Sequence, residues 1–282
     1  YDNRTVGKQK GELSVSRIIS AIVAIAAVLG ILFFGGVQLF VIATIAVTAL
    51  AAHEFYFAVG RGWKDMYKRI ATVLALHIPL IIYANVTKTL EPYMFNITIP
   101  FLLYFTFKIL RGPVMVEERN KSIMIPFGMF YVGVLMSYLI RIRVMESGIH
   151  LILFLLVTVW ASDIFAYYVG KTIGSNKLIP KVSPNKTIEG SIGGIAGSIL
   201  VAYLMGQYLI LGMTARECAI AGFMIAVAGG LGDLAASLIK REEGIKDFGK
   251  IMPGHGGALD RVDSLIFAAP VFFYYLLYIV KI

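Results

Sequence analysis

Near the end of the chain, Ser237, Lys240, Arg241, Lys246, Asp247, His255, Gly256, Gly257, Asp260, Arg261 and Asp263 fall between two strongly apolar runs. Charge beside or inside a bilayer is costly, so such a gathering reads as function. Carboxylates interleaved with Lys and Arg suit a divalent cation that holds a phosphate-rich substrate. The acids bind the metal and the cations neutralise phosphate oxygens. The turn Gly254-His255-Gly256-Gly257 does not resemble a core segment, and its glycines let backbone amides approach an anion.

Asp260 and Asp263 are spaced i, i+3, which puts both on one face of the first turn if a helix starts there. A helix N-terminus favours carboxylates through its macrodipole, so a plain cap beside Arg261 also accounts for the pair. Asp233 shifts the balance. It lies inside the apolar stretch 226–238, directly after Gly229-Gly230-Leu231-Gly232, where glycines permit close helix contact. Unpaired there, a carboxylate would cost several kcal/mol. Either a shared divalent cation or a Lys partner removes that penalty. The metal reading makes Asp233, Asp260 and Asp263 the ligands and sets Lys240, Arg241, Lys246 and Arg261 against phosphate, where Arg binds bidentately. The ion-pair reading needs only one Lys.

A second polar block comes earlier. Asp163, in Trp160-Ala161-Ser162-Asp163, sits in the half of an apolar run next to the polar loop 171–189. It either joins the site or pairs with a loop Lys. The loop ends in Ser183-Pro184-Asn185-Lys186-Thr187-Ile188-Glu189-Gly190. Thr187 and Glu189 are helix-starting residues, and Lys186 is placed to meet phosphate. His53-Glu54, closing another apolar run, reads as a pair that snorkels or hydrogen-bonds locally. His77 and His150 are isolated and read as structural. The chain has no HExxH, no Walker-type phosphate loop and no GxSxG.

The elements that must position these residues are membrane helices. Of 282 residues, 58% are hydrophobic and 15% charged, against about 25% charged in a soluble domain. Mean hydropathy is +0.79. The expected architecture is an all-α, polytopic transmembrane bundle with no soluble domain of useful size. Runs of about 20 mostly apolar residues fall at 17–35, 37–59, 69–86, 93–110, 123–140, 148–170, 190–212, 217–239 and 262–280. The first leads straight into the second across Gly35-Gly36, so it reads as a span rather than a cleavable leader. Runs near 18 residues, such as 93–110, are borderline, and one of them could lie in the interface.

With the N-terminus in the cytoplasm and the C-terminus outside, 21 of the 26 Lys and Arg fall inside, leaving Lys88, Arg141, Arg143, Arg216 and Lys281 outside. That asymmetry is the positive-inside pattern, and Arg141 and Arg143 fit it least. Both polar blocks then face the cytoplasm. The single Cys, Cys218, excludes an intramolecular disulfide and reads as a small membrane-helix residue. The chain divides into an N-terminal helical scaffold, 1–145, and a catalytic transmembrane region, 146–282, with loops 171–189 and 240–261.

The ordered pattern Ser237-x-x-Lys240-Arg241, Lys246-Asp247, His255-Gly256-Gly257 and Asp260-Arg261-x-Asp263 resembles the signature of the phosphatidate cytidylyltransferase (CDP-diacylglycerol synthase) family. Asp163-x-x-Ala166-Tyr167 through Ser183-Pro184-x-Lys186-Thr187-x-Glu189-Gly190 is similar to that family's other block. Met252 and Ala258 stand where the family more often has branched aliphatics, and Ile188 where an aromatic is common. The N-terminal half matches only as a hydrophobic bundle.

The resemblance implies transfer of CMP from CTP to phosphatidic acid, giving CDP-diacylglycerol and pyrophosphate, with Mg2+ and room for a second cation. It implies a catalytic set of Asp233, Asp247, Asp260, Asp263 and His255, with Asp233, Asp260 and Asp263 on metal. Asp163, Asn185, Lys186, Ser237, Lys240, Arg241, Gly256, Gly257 and Arg261 would bind substrate. The implied partners are CTP, phosphatidic acid and bilayer lipid, with no nucleic acid; a homodimer is allowed. The implied location is multi-pass in a bacterial inner membrane, with a cytoplasmic active site. A CTP-dependent polyprenol or phytol kinase would instead move the γ-phosphoryl to an alcohol, release CDP and want a base. A cation-coupled transporter would run Asp163 and Asp233 as a path and predict an inverted repeat with acids near mid-membrane. No repeat is visible, and the acids cluster toward one face.

Overall fold

The computed structural model describes residues 22–84, 91–113, 120–209, 212–249, 251 and 256–282, excepting the side chains of 91–93 and 121–122. His255 and the span portions 17–21, 85–86 and 210–211 lie outside the described residues. The helices are α1 (Ile22–Phe34), α2 (Gly36–Val59), α3 (Asp65–Ala84), α4 (Glu91–Arg111), α5 (Lys121–Gly128), α6 (Leu135–Val144), α7 (Gly148–Thr172), α8 (Ile188–Tyr208), α9 (Ala215–Glu242) and α10 (Leu259–Tyr275). A π-helical stretch, Met129–Val134, joins α5 to α6, and another, Leu276–Val280, extends α10. Among the described residues eight spans are long and apolar enough to cross a membrane, with α5 and α6 counting as one. Of the first expected span, 17–35, the described part is the apolar helix α1, and the borderline run 93–110 is helical throughout. The chain is thus an all-α polytopic bundle, as its hydropathy demands.

The ends of the helices matter most for the site. α9 runs past its apolar stretch to Glu242, carrying Lys240 and Arg241 in its last turn, where the macrodipole favours cations. It begins with a complete capping box, Thr214 exchanging hydrogen bonds with Glu217. α10 starts at Leu259, a turn earlier than its hydropathy suggests, so Asp260 lies inside the helix and Asp263 one turn on.

The 171–189 loop departs from an irregular connection. Strands β1 (Lys177–Ile179) and β2 (Ser183–Thr187) pair antiparallel, with Lys177 opposite Thr187 and Ile179 opposite Ser183. Glu189 anchors the hairpin, its carboxylate accepting from the backbone N–H of Ser175 and Asn176 and from Asn176 Nδ2. Thr187 caps α8 by accepting from the Gly190 N–H at 3.1 Å.

The scaffold helices are not a separate body. Phe55, Phe105, Phe127 and Tyr131 stack against one another and meet Phe267 of α10 in offset and edge-on contacts. Arg141 and Arg143, the cations that fit the topology rule least, are each only 7% exposed. Arg141 lies over the Phe273 ring at 4.5 Å and Arg143 beside Phe40 at 5.9 Å, so aromatic faces receive both.

Lys108 at the end of α4 reaches Glu242 at the end of α9 at 2.9 Å, and Glu242 is 1% exposed. Removing one partner of a buried pair strips the other of that counter-charge and costs about 3 kcal/mol or more. Lys108→Met is therefore expected to lower the thermal denaturation midpoint in detergent by several degrees. An unchanged midpoint would mean that Glu242 is held without Lys108.

Candidate active site

α7, α8, α9, the β-hairpin and the start of α10 enclose a cavity of about 830 Å3. Each element contributes from the end that carries its polar residues. Asp163 and Lys171 come from α7, Asn185 and Lys186 from β2, Asp233 and Lys240 from α9, and Asp260, Arg261 and Asp263 from α10. Asp247 lines it from the loop between α9 and α10. Ser162, Thr187, Ser191 and Ser264 add hydroxyl groups, and the apolar part of the wall includes Ile195 of α8 and Ala226, Val227 and Leu231 of α9.

α9 and α10 bring their acids together through a glycine. A Cβ at Gly232 would collide with the carbonyl oxygen of Asp263, so only glycine lets the two helices approach this closely beside Asp233. Asp233 lies within electrostatic reach of both Asp163 and Asp263. Lys186 pairs with Asp233 Oδ2 at 2.8 Å, and Ser237 Oγ donates weakly to Oδ1 at 3.4 Å. Asp263 Oδ1 accepts the Ser264 N–H at 2.7 Å.

Asp260 is engaged at both oxygens. Lys240 Nζ meets Oδ1 at 2.7 Å, while Oδ2 accepts the backbone N–H of Phe248 and Gly257 at 2.9 and 3.0 Å. These bonds hold Phe248 and Gly257 against α10. Gly256 takes φ +83°, a left-handed conformation that glycine adopts freely, and places its backbone beside Asp260 and Asp247.

Nine of the expected site residues thus share one cavity: Asp163, Asn185, Lys186, Asp233, Lys240, Asp247, Asp260, Arg261 and Asp263. Arg241, expected against phosphate, is not among the described residues lining it. Its Nε donates to the Val182 carbonyl at 3.3 Å and ties the hairpin to α9. Ser237 likewise acts from behind, through Asp233.

Two residues were not expected. Glu54 of α2, read as a locally bonded residue, is 4% exposed and accepts the Leu259 N–H at 2.9 Å, 205 residues along the chain. A Cβ at either Gly249 or Gly257 would collide with its carboxylate, so both glycines pack directly on it. Tyr131, in the π-helical stretch, is fully buried, its hydroxyl unpaired and within electrostatic reach of Asp263, Asp233 and Asp260. Neither has a local sequence signal; only the packing of α2 and of the π-helical stretch on α10 identifies them.

Among the described residues no three acidic, His or Cys side chains converge as a self-sufficient metal cluster. Mg2+ is commonly held by one or two carboxylates plus substrate phosphates and water. Asp233 and Asp263, hard oxygen donors with lone pairs left over, fit that requirement, with Asp163 nearby. Asp260 fits it less well, because both of its oxygens already accept hydrogen bonds within the chain.

The profile of the cytidylyltransferase family matches residues 15–279. A phosphatidate cytidylyltransferase of Synechocystis is 34% identical over 96% of this chain and 99% of its own length. One from Staphylococcus haemolyticus is 32% identical over 90% of this chain and 96% of its own. The Escherichia coli protein YnbB, which carries no described function, is 36% identical over 75% of each chain. A match spanning the scaffold helices as well as both polar blocks reaches well beyond the motifs alone, and it places this chain in the cytidylyltransferase family.

Proposed function

We propose that the protein is a phosphatidate cytidylyltransferase: it transfers CMP from CTP to phosphatidic acid, releasing pyrophosphate and forming CDP-diacylglycerol. The observation that carries the reading is the two-sided cavity, charged at the helix ends and apolar along α8 and α9. A lipid phosphate needs both walls, one for its headgroup and one for its tail.

A phosphate oxygen of phosphatidic acid attacks the α-phosphorus of CTP, and the bond from that phosphorus to the oxygen bridging to the β-phosphorus breaks. The attacking oxygen is already anionic near neutral pH, so no strong general base is required. The difficulty is to bring an anion to a triphosphate in line, which positioning and charge neutralisation solve. Lys186, Lys240 and Arg261 supply positive charge around the cavity. Mg2+, when bound at Asp233 and Asp263, would neutralise phosphate oxygens. Asp247 and Asp163 would orient the substrates, and the Gly256-Gly257 turn with His255 would border the nucleotide. The charged end faces the cytoplasm in this reading, where CTP is found, and lipid arrives sideways from an inner membrane.

The test is turnover by purified protein with phosphatidate, Mg2+ and CTP labelled either in the cytidine or at the γ-phosphate. Cytidine label entering lipid with release of pyrophosphate is the expected result. Transfer of γ-label alone, to an alcohol acceptor, would replace this reading with a kinase. Lys186 gives a finer check. Its ion pair with Asp233 is exchangeable, since both side chains are about a third exposed, which frees the ammonium for phosphate. Lys186→Met should raise KM for CTP about tenfold or more, the worth of a charged hydrogen bond. An unchanged KM would confine Lys186 to holding Asp233.

A further inference from the structure

Three glycines fall within four residues of α9: Gly229, Gly230 and Gly232. Each weakens a helix interior relative to alanine, so each calls for a reason. Gly232 admits the backbone of Asp263, and a Cβ at Gly229 would touch Ser264 at 3.6 Å, against α10. A Cβ at Gly230 would meet nothing within 4 Å, and its backbone is not left-handed. Neither packing nor backbone conformation asks for glycine there. The space it leaves open belongs to the cavity, which Gly230 lines.

Gly230 stands one helical turn from Asp233, toward the middle of α9. Its neighbours on the cavity wall, Ala226, Val227 and Leu231, offer no side-chain group to hydrogen-bond a base or a ribose. Phe223, Val227, Gly230 and Leu234 follow one another at helical spacing on one face. Phe223 and Val227 are 48% and 36% exposed, so this face leads out of the cavity along the membrane-spanning part of α9.

We propose that Gly230 is a specificity-determining residue for the lipid substrate. Its missing side chain leaves the passage by which long acyl chains run outward from the phosphate site along the Phe223–Val227–Gly230 face. This rests on the reading of phosphatidate as acceptor. A side chain at 230 therefore obstructs long acyl chains while leaving the charged end of the cavity unaltered.

The experiment compares wild type with Gly230→Leu and Gly230→Met, measuring kcat/KM for dioleoyl and for water-soluble dihexanoyl phosphatidate, KM for CTP, and the thermal midpoint. Both variants replace glycine with a better helix former, so the midpoint should hold or rise; methionine, unbranched and flexible, guards against misfolding by leucine. The expected result is a fall of about tenfold or more for the dioleoyl lipid, the scale of methylene discrimination in an apolar pocket. The dihexanoyl lipid should lose much less, and KM for CTP should not move. An unchanged dioleoyl-to-dihexanoyl ratio, or a shift in KM for CTP, overturns the proposal. A folded wild type that transfers CMP to neither lipid overturns the acceptor reading itself.

Discussion

Asp263→Asn is expected to give a folded protein whose kcat for CMP transfer is lower by about a thousandfold or more. The side chain is buried one turn into α10, and its neighbours constrain what the substitution changes. Asparagine is isosteric and retains an oxygen acceptor for the Ser264 N–H, so the helix start and its packing on Gly232 survive. What disappears is one negative charge facing Asp233, Lys186 and the substrate. If Asp263 holds a divalent cation, an amide oxygen is a poor substitute, and several kcal/mol of charge stabilisation goes with it, about 1.4 kcal/mol per factor of ten. Steady-state turnover with cytidine-labelled CTP checks the loss, and an unchanged thermal midpoint shows that it is chemical rather than structural. A variant keeping a tenth of wild-type activity would remove Asp263 from the metal site. Extra Mg2+ should recover part of the rate if affinity rather than geometry is what the variant lacks.

Much of this was legible before any coordinates because the signals are of two robust kinds. Long hydropathy is a bulk property, so the membrane helices fall within a few residues of their expected positions. Charged residues in an apolar chain are conspicuous by cost, and the shared cavity contains most of those singled out, from Asp163 to Asp263. What spacing does not reveal is direction. Arg241 and Lys240 are neighbours, yet Lys240 reaches Asp260 on the cavity wall while Arg241 turns to the Val182 carbonyl. Asp260 and Asp263 look equivalent at i, i+3, but both oxygens of Asp260 are engaged, Oδ2 by the N–H groups of Phe248 and Gly257 and Oδ1 by Lys240. The β-hairpin escaped because its strands are short and polar, and its stability depends on Glu189, which follows it at the start of α8. Tyr131 escaped because a tyrosine in an aromatic run reads as core; it comes within electrostatic reach of the acids only once the π-helical stretch packs on α10.

Glu54→Ala should lower kcat by about a hundredfold although Glu54 does not line the cavity. The carboxylate accepts the Leu259 N–H at the start of α10 and sits against Gly249 and Gly257. Phe248, next to Gly249, and Gly257 itself also supply the N–H groups that fix Asp260, and through it Lys240. Alanine leaves the Leu259 N–H unsatisfied, at a cost of about 1–3 kcal/mol, and opens a void under the loop. The loop then relaxes, and a displacement of about 1 Å in groups that position substrate can cost about a hundredfold. Glutamine keeps an acceptor of the same length, so Glu54→Gln should retain activity within about tenfold of wild type. Its amide takes the place of an oxygen that has no partner in the fold. The two variants separate positioning from bulk stability. If Glu54 only fills space, alanine lowers the thermal midpoint without changing kcat at a temperature where the protein is folded. If it positions the loop, kcat falls at that temperature and protease cleavage between residues 245 and 258 accelerates in the alanine variant alone. Equal activity of both variants with wild type would reduce the contact to packing. A loss in glutamine matching that in alanine would mean that the charge of Glu54, and not its hydrogen bond, holds the loop.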